Sequence, residues 1–362
     1  MQSTYQVKRI SGPDVASAVH AYFDLYTENV AASLVTYFAF DGARPGPGRV
    51  MVCTRDGEDH REVGRAPYGS ANGGAEQQWA SNDEIVYRLA EGDEASTALA
   101  SVRTGAHRIL PTAVRMCHPE TGLALSHSLS VPGMERGEEA VYLLDLKTER
   151  ARPLFSREEA IAIHPLRDQI MAMTPADRAN LEFKHTKWSP DGSMFFAVFH
   201  NVTWYRTYGR GVYIKSLFLA NADGSAFRYL SEFGHHPLWL PDSSAVHTFE
   251  RHEDGSQAML AHPVDGREPY VIFEQAPGVH PSFSPDGKLV VTDRFRYPQP
   301  GWGQVLLYDV ATKEPEVLAT FATPDTTHET GVHPHPVWSR DGKRVYFAMA
   351  EENVPGLYAI DL

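Results

Sequence analysis

The chain is 362 residues long, 42% hydrophobic and 22% charged, which is the composition of an ordinary soluble globular protein. Its formal net charge of −13 leaves no basic field to draw nucleic acid or an anionic membrane. Cys53 and Cys117 make no disulfide framework, the N-terminus has no apolar signal-peptide core, and the best apolar stretch, Val30–Phe40, is too short to span a bilayer. A soluble, cytoplasmic protein is expected, with no nucleic-acid or membrane partner.

The length exceeds that of most single domains, but repetitive all-β folds reach it as one, so a single domain over 1–362 is expected. The first segment with strand character is Tyr5–Ile10. Three weakly marked units follow, over about 30–67, 68–112 and 113–156, the second containing Trp79 and the third Val141-Tyr142-Leu143-Leu144-Asp145. Ser156–Glu182 breaks the pattern; rich in Ala, Glu, Arg and Met, it reads as a short helical insertion.

Four strongly marked repeats then open on Trp188-Ser189-Pro190-Asp191-Gly192, Trp239-Leu240-Pro241-Asp242-Ser243, Phe283-Ser284-Pro285-Asp286-Gly287 and Trp338-Ser339-Arg340-Asp341-Gly342. Pro presets φ, Asp caps the turn and Gly takes the positive φ, so each reads as strand, tight turn, strand. A second strand pair follows in the first three, as in Leu217-Phe218-Leu219-Ala220 and Val305-Leu306-Leu307-Tyr308. Four short strands per unit of roughly 40–55 residues is the blade of a propeller. Counting all units predicts an all-β, seven-bladed β-propeller. The last unit has three strands of its own, and Tyr5–Ile10 is expected to supply the fourth, joining the two ends of the chain.

The histidines fall in register with these repeats. Three residues before each opening aromatic stand His185, His236, His280 and His335, and the same step back from Trp79 gives Glu76. In a propeller the loop before each inner strand lies at one mouth of the channel, so these positions are expected to share a site. His333, two residues before His335, His235 beside His236, and His328 and Glu329 just upstream extend the set. Imidazoles in this number suit Mn, Zn, Fe or Ni. Trp204, Tyr205, Tyr208 and Trp302 fall in what read as longer inter-strand loops, where aromatic rings either pack the loop or stack on sugars.

The segments His236-Pro237-Leu238-Trp239-Leu240-Pro241-Asp242, His280 ahead of its Ser-Pro-Asp-Gly turn, and His333-Pro334-His335-Pro336-Val337-Trp338 resemble the oligogalacturonate lyases of polysaccharide lyase family 22, and more broadly the TolB-type propellers. The likeness spans roughly residues 183–362, and His-Pro-His-Pro is its most specific part. It implies a manganese ion held by three histidines and a glutamine; His280, His333 and His335 match the histidines, while the glutamine's place is Thr330 here, with Glu329 next to it as the replacement ligand. It implies a histidine base at His236. The family's arginine, one blade earlier, aligns near Lys215 and Ser216, so Arg210 or Lys215 is the cation expected to hold substrate. His185, His200 and His235 are secondary candidates for substrate contacts.

The activity so implied is metal-dependent cleavage of an acidic oligosaccharide by β-elimination. Two alternatives share the fold: a metal-dependent sugar hydrolase or isomerase, and a non-catalytic binding scaffold. A serine peptidase propeller needs a Gly-x-Ser-x-Gly elbow and a hydrolase domain, and the sequence has neither.

Overall fold

The computed structural model describes residues 5–89, 96–110, 112–127, 139–232, 235–252, 254–295, 301–322, 333–351 and 354–362. The chain is a seven-bladed β-propeller: seven four-stranded antiparallel sheets. They fall into two compact units, residues 1–110 with 276–362, and residues 111–275.

The first unit holds four blades. Blade 1 is Ala18–Val19, Leu34–Phe40, Gly46–Thr54 and Arg61–Gly69; blade 2 is Gln78–Trp79, Glu84–Arg88, Thr97–Ser101 and His107–Leu110. Blade 6 is Ser282–Phe283, Leu289–Phe295, Trp302–Asp309 and Pro315–Ala322. Blade 7 is Val337–Trp338, Arg344–Glu351 and Val354–Asp361, completed by Val7–Arg9, whose Val7 stands opposite Ile360. The two ends of the chain therefore share a sheet as expected. Blade 1 begins earlier than its sequence suggests, because its inner strand is only Ala18–Val19 and carries no aromatic-turn signature.

The second unit holds three blades. Blade 3 is Val114–His118, Leu123–Ser126, Ala140–Asp145 and Arg150–Ser156; blade 4 is Glu182–Trp188, Met194–His200, Lys215–Asn221 and Arg228–Ser231. Blade 5 is His235–Trp239, Ala245–Arg251, Gln257–Pro263 and Tyr270–Phe273. Between blades 3 and 4 lie helices α1 (Arg157–Ile163), α2 (Arg167–Ala172) and α3 (Pro175–Arg178), the expected insertion. A capping box starts α1: Ser156 accepts from the Glu159 N–H, and the Glu159 carboxylate accepts from the Ser156 N–H. A fourth helix, α4 (Val202–Tyr208), corrects the reading of Trp204, Tyr205 and Tyr208 as loop residues. Gly209, at φ 61°, ends it by donating its N–H to the Tyr205 carbonyl. Trp302 likewise opens a strand and not a loop.

The second strand of blade 4 shows why its centre, Phe195–Phe199, is apolar on both faces. Phe195, Ala197 and Phe199 face a cluster with Leu125 and Val141 of blade 3, while Phe196 and Val198 face Trp239 and Val246 of blade 5. Alternate side chains thus meet different neighbours, and both faces of the sheet are buried. Two of the opening tryptophans tie neighbouring blades together: the Trp239 indole N–H donates to the Lys187 carbonyl at 3.1 Å, and that of Trp338 to the Ser282 carbonyl at 2.9 Å. The turns are built as read, with Gly192, Gly287 and Gly342 at φ 69°, 73° and 69°, and Ser243 taking φ 61° where glycine is missing.

Candidate metal centre

The histidine register has a backbone counterpart. Glu76, His185, His236 and His335 all adopt left-handed φ, at 49°, 48°, 48° and 45°. This conformation is uncommon outside glycine, and four recurrences at one repeat position make it a built feature of the inner-strand entry. In blades 4 and 5 it coincides with bulges, between Lys184 and Lys187 and between His235 and Leu238. His280 keeps its place in the sequence register but does not share the left-handed backbone.

In the first unit, His280, His333 and His335 come together, and one ring nitrogen from each lies within 4.8 Å of the other two. His280 and His335 are buried, and their ring centroids are 4.3 Å apart; His333 is half-buried. The His280 and His335 rings are held from behind. The two oxygens of Asp293, a fully buried residue on the second strand of blade 6, lie 3.0 Å from His280 Nδ1, and Oδ1 also accepts the His280 backbone N–H at 3.1 Å. Gly278 allows this close approach, because a Cβ there would sit 2.3 Å from Thr292 Oγ1 and 2.5 Å from the Asp293 carbonyl oxygen.

His335 donates its backbone N–H to Asp293 Oδ2 at 3.1 Å, and its Nδ1 lies 3.2 Å from the Asn72 carbonyl oxygen. The Asn72 side-chain oxygen accepts the His333 N–H at 3.2 Å, so a single loop residue of the first unit braces the His333-Pro334-His335 segment at two points. With Nδ1 donating to a carbonyl, His335 Nε2 carries the lone pair, and this atom is buried with no hydrogen-bond partner. Burial first, then His280, His333 and His20, hold His335 well below the usual histidine pKa and therefore neutral. Three imidazoles presenting nitrogens to one point, one of them a buried acceptor lacking any donor, fit a divalent cation.

Sequence reasoning missed several residues here. His20, fully buried in blade 1, meets the His335 carbonyl through Nε2 at 2.7 Å, and burial pushes its pKa down to about 4. Tyr22 packs edge-on against His335, centroids 4.5 Å apart, and Phe23 lies 5.0 Å from His280. Asp293 follows a Val-Val-Thr strand and His20 lies in an unmarked segment, so neither had a motif to announce it; repeat counting at the second strand would have exposed Asp293 as a polar misfit. Glu329, with His328 and Thr330, lies outside the described residues.

The other expected residues belong to the second unit. His236 and His185 are half-buried at their bulges. The Lys187 ammonium, itself buried, donates to the Pro237 carbonyl at 2.8 Å and so pins the backbone next to His236. His235 pairs with Phe249 at the start of its strand. His200 is buried; its Nδ1 accepts the Val202 N–H, which opens α4, and its pKa is lowered to about 4 by burial, then by Lys184 and Lys215. Lys215 stands directly across from His200, and burial and then Arg206 lower it to about 8. Arg210 pairs with Asp177 at 3.1 Å and lies over the Trp204 and Tyr208 rings. Ser216 bonds His164 Nε2 at 2.8 Å.

Buried neutral histidines have a consequence for stability. His20, His164 and His200 are lowered to about 4 and His247 to about 3, all by burial. A folded-state pKa below the unfolded value means that stability is complete above about pH 6.5 and is lost as pH falls toward 4, where the unfolded chain takes up protons that the folded chain refuses. With its pKa lowered to about 4, His20 alone contributes roughly 3 kcal/mol of this stability. Urea-unfolding midpoints are expected to fall steeply between pH 7 and 5. A flat profile would contradict this assignment of neutral histidines.

Fold and centre together define a class: a seven-bladed propeller whose first unit carries a three-histidine cluster of metal-ligand type. No family model and no curated protein sequence matches the chain. Among solved structures, it is similar to oligogalacturonate lyase from Vibrio parahaemolyticus, with a TM-score of 0.71 and 15% identity over 100% of this chain and 95% of the other. It is similar to an oligogalacturonate lyase in complex with manganese, with a TM-score of 0.70 and 16% identity over the same shares. A prolyl endopeptidase matches with a TM-score of 0.58 and 10% identity, over 94% of this chain and 50% of that one. At these identities the likeness establishes the propeller fold. No helix among the described residues is long and apolar enough to cross a membrane.

Proposed function

We propose that the protein is a metal-dependent lyase that cleaves an oligouronide by β-elimination, with manganese as its cofactor. The observation carrying this reading is the convergence of His280, His333 and His335. The overall match to a lyase solved with manganese supports it, as do the sequence positions that resemble that family's ligands and base.

The proton at C5 of a uronate is only weakly acidic, because the adjacent group is a carboxylate. A divalent cation held by His280, His333 and His335 would supply the positive charge that neutralises that carboxylate and stabilises the charge building on it. His236 is the proposed base. A neutral imidazole has a basicity near physiological pH, suited to taking the C5 proton, and the Lys187–Pro237 hydrogen bond fixes the backbone that carries it. The electron pair of the C5–H bond forms the C4–C5 double bond, and the C4–O bond breaks. The departing oxygen takes a proton from solvent. Lys215 and Arg210 are the proposed cations for further carboxylates of the oligomer, with His185, His200 and His235 as secondary contacts.

The test is to incubate manganese-loaded protein with a panel of oligouronides, oligogalacturonate included, and follow the ultraviolet absorbance of a 4,5-unsaturated uronate. The expected result is a rise that chelation abolishes and His236→Ala lowers by about two orders of magnitude or more, the usual worth of general base catalysis. Bound metal with no absorbance rise on any uronide would discard the lyase reading and leave a metal-dependent sugar hydrolase or isomerase.

A further inference from the structure

The buried carboxylate of Asp293 is out of keeping with its place in the repeat. In blades 4, 5, 6 and 7 the opening aromatics stand opposite Phe195, Val246, Val290 and Val345. The third residue beyond each of these is Val198, Phe249, Asp293 and Ala348. Packing at this position is met by an apolar side chain in three of the four, so the fold does not call for a carboxylate. Taking one out of water costs several kcal/mol unless its lone pairs are all used. Here they are used on two of the three clustered histidines: His280 through its backbone N–H and Nδ1, and His335 through its backbone N–H.

We propose that Asp293 is the positioning residue of the metal centre, tying the blade 6 ligand to the blade 7 ligand and selecting which nitrogen of His280 faces the metal. With Nδ1–H donated to the carboxylate, the His280 lone pair is on Nε2, the same nitrogen that Asn72 leaves available on His335. The negative charge behind the ring makes Nε2 a stronger donor and offsets part of the charge of the cation. One side chain thereby sets the tautomer of one ligand and the spacing between two. This inference rests on the metal reading of the histidine cluster and is independent of which reaction the metal serves.

The test uses chelator-stripped full-length protein, titrated with Mn2+ and Co2+ by calorimetry, with the visible absorption of bound Co2+ recorded. The Asp293→Asn variant is expected to bind both ions about 10–100-fold more weakly than the unaltered protein, to show an altered Co2+ spectrum, and to keep its near-ultraviolet circular dichroism. Affinity within threefold and an unchanged spectrum would overturn the proposal, whatever happens to stability. Because the variant removes a buried charge, a second measurement stands beside it: nitrogen-15 chemical shifts of the metal-free, unaltered protein at pH 8 are expected to report His280 protonated on Nδ1. Protonation on Nε2 would overturn the proposal even if the variant does not fold. Failure of the unaltered protein to bind either ion would instead remove the metal reading, and this inference with it.

Discussion

Substitution of His335 by alanine is expected to reduce divalent-metal affinity about a thousandfold or more, since it deletes the donor whose surroundings specify it most completely. Its Nδ1 is committed to the Asn72 carbonyl, its backbone N–H to Asp293, and its carbonyl to His20. Only Nε2 remains, buried and with no partner. A cation is the group that completes it, while His20 spends its own Nε2 on the His335 backbone. Those backbone contacts do not need the ring, so His335→Ala should keep its fold. Half-buried His333 lacks this enclosure, and His333→Ala should lose less affinity. Metal analysis after dialysis, with titration of the stripped protein, checks the order. Equal binding by His335→Ala and the unaltered protein would remove the cluster as the site.

The second large effect is expected at Glu28. Pairing opposite Val35, it stands in blade 1 where other blades have their opening tryptophan or phenylalanine. It is buried, yet two donors reach it, the Arg340 N–H at 2.9 Å and the Tyr346 hydroxyl at 2.7 Å, and Arg55 forms an ion pair with it at 3.0 Å. Arg55 in turn grips Asp341 through two nitrogens, each at 2.7 Å. Arg340, Asp341 and Tyr346 belong to blade 7, the blade that also joins the chain ends, so this carboxylate bolts blade 1 to it. Glu28→Ala leaves a buried amide and hydroxyl unmet, for an expected loss of about 3 kcal/mol. Part of the charge term is discounted, since the Arg55 side chain is 25% exposed and its pairing is screened by solvent. Thermal and urea unfolding measure it; a loss below about 0.5 kcal/mol, the usual effect of an unremarkable surface change, would refute the role.

These two residues show what the sequence made legible and what it did not. The aromatic-turn segments report a local constraint, a positive φ in each turn, so the repeats and the histidine register could be read directly. The strand shared by the chain ends was legible because one blade was a strand short. Glu28 was not, because a carboxylate in the aromatic position erases the signature that marks a blade, and the start of blade 1 was misplaced with it. Asp293, Asn72 and His20 stayed hidden for another reason. Each acts through a contact between segments distant in sequence, as between Asn72 and His335, and no local pattern encodes such a pairing. Helix α4 was obscured by its Val, Thr, Trp and Tyr content, residues that favour strands by propensity; Gly209 was the one local sign of a helix end.

The central claim is that His280, His333 and His335 hold one divalent metal ion. Crystals grown with Mn2+, and diffraction data collected at wavelengths where manganese scatters anomalously, address it most directly. The expected result is a single anomalous peak within bonding distance of all three rings, contacted by Nε2 of His280 and of His335, with Asp293 still bonded to His280 Nδ1. No peak at the cluster, or a peak on the Asp293 side of the His280 ring, would contradict it.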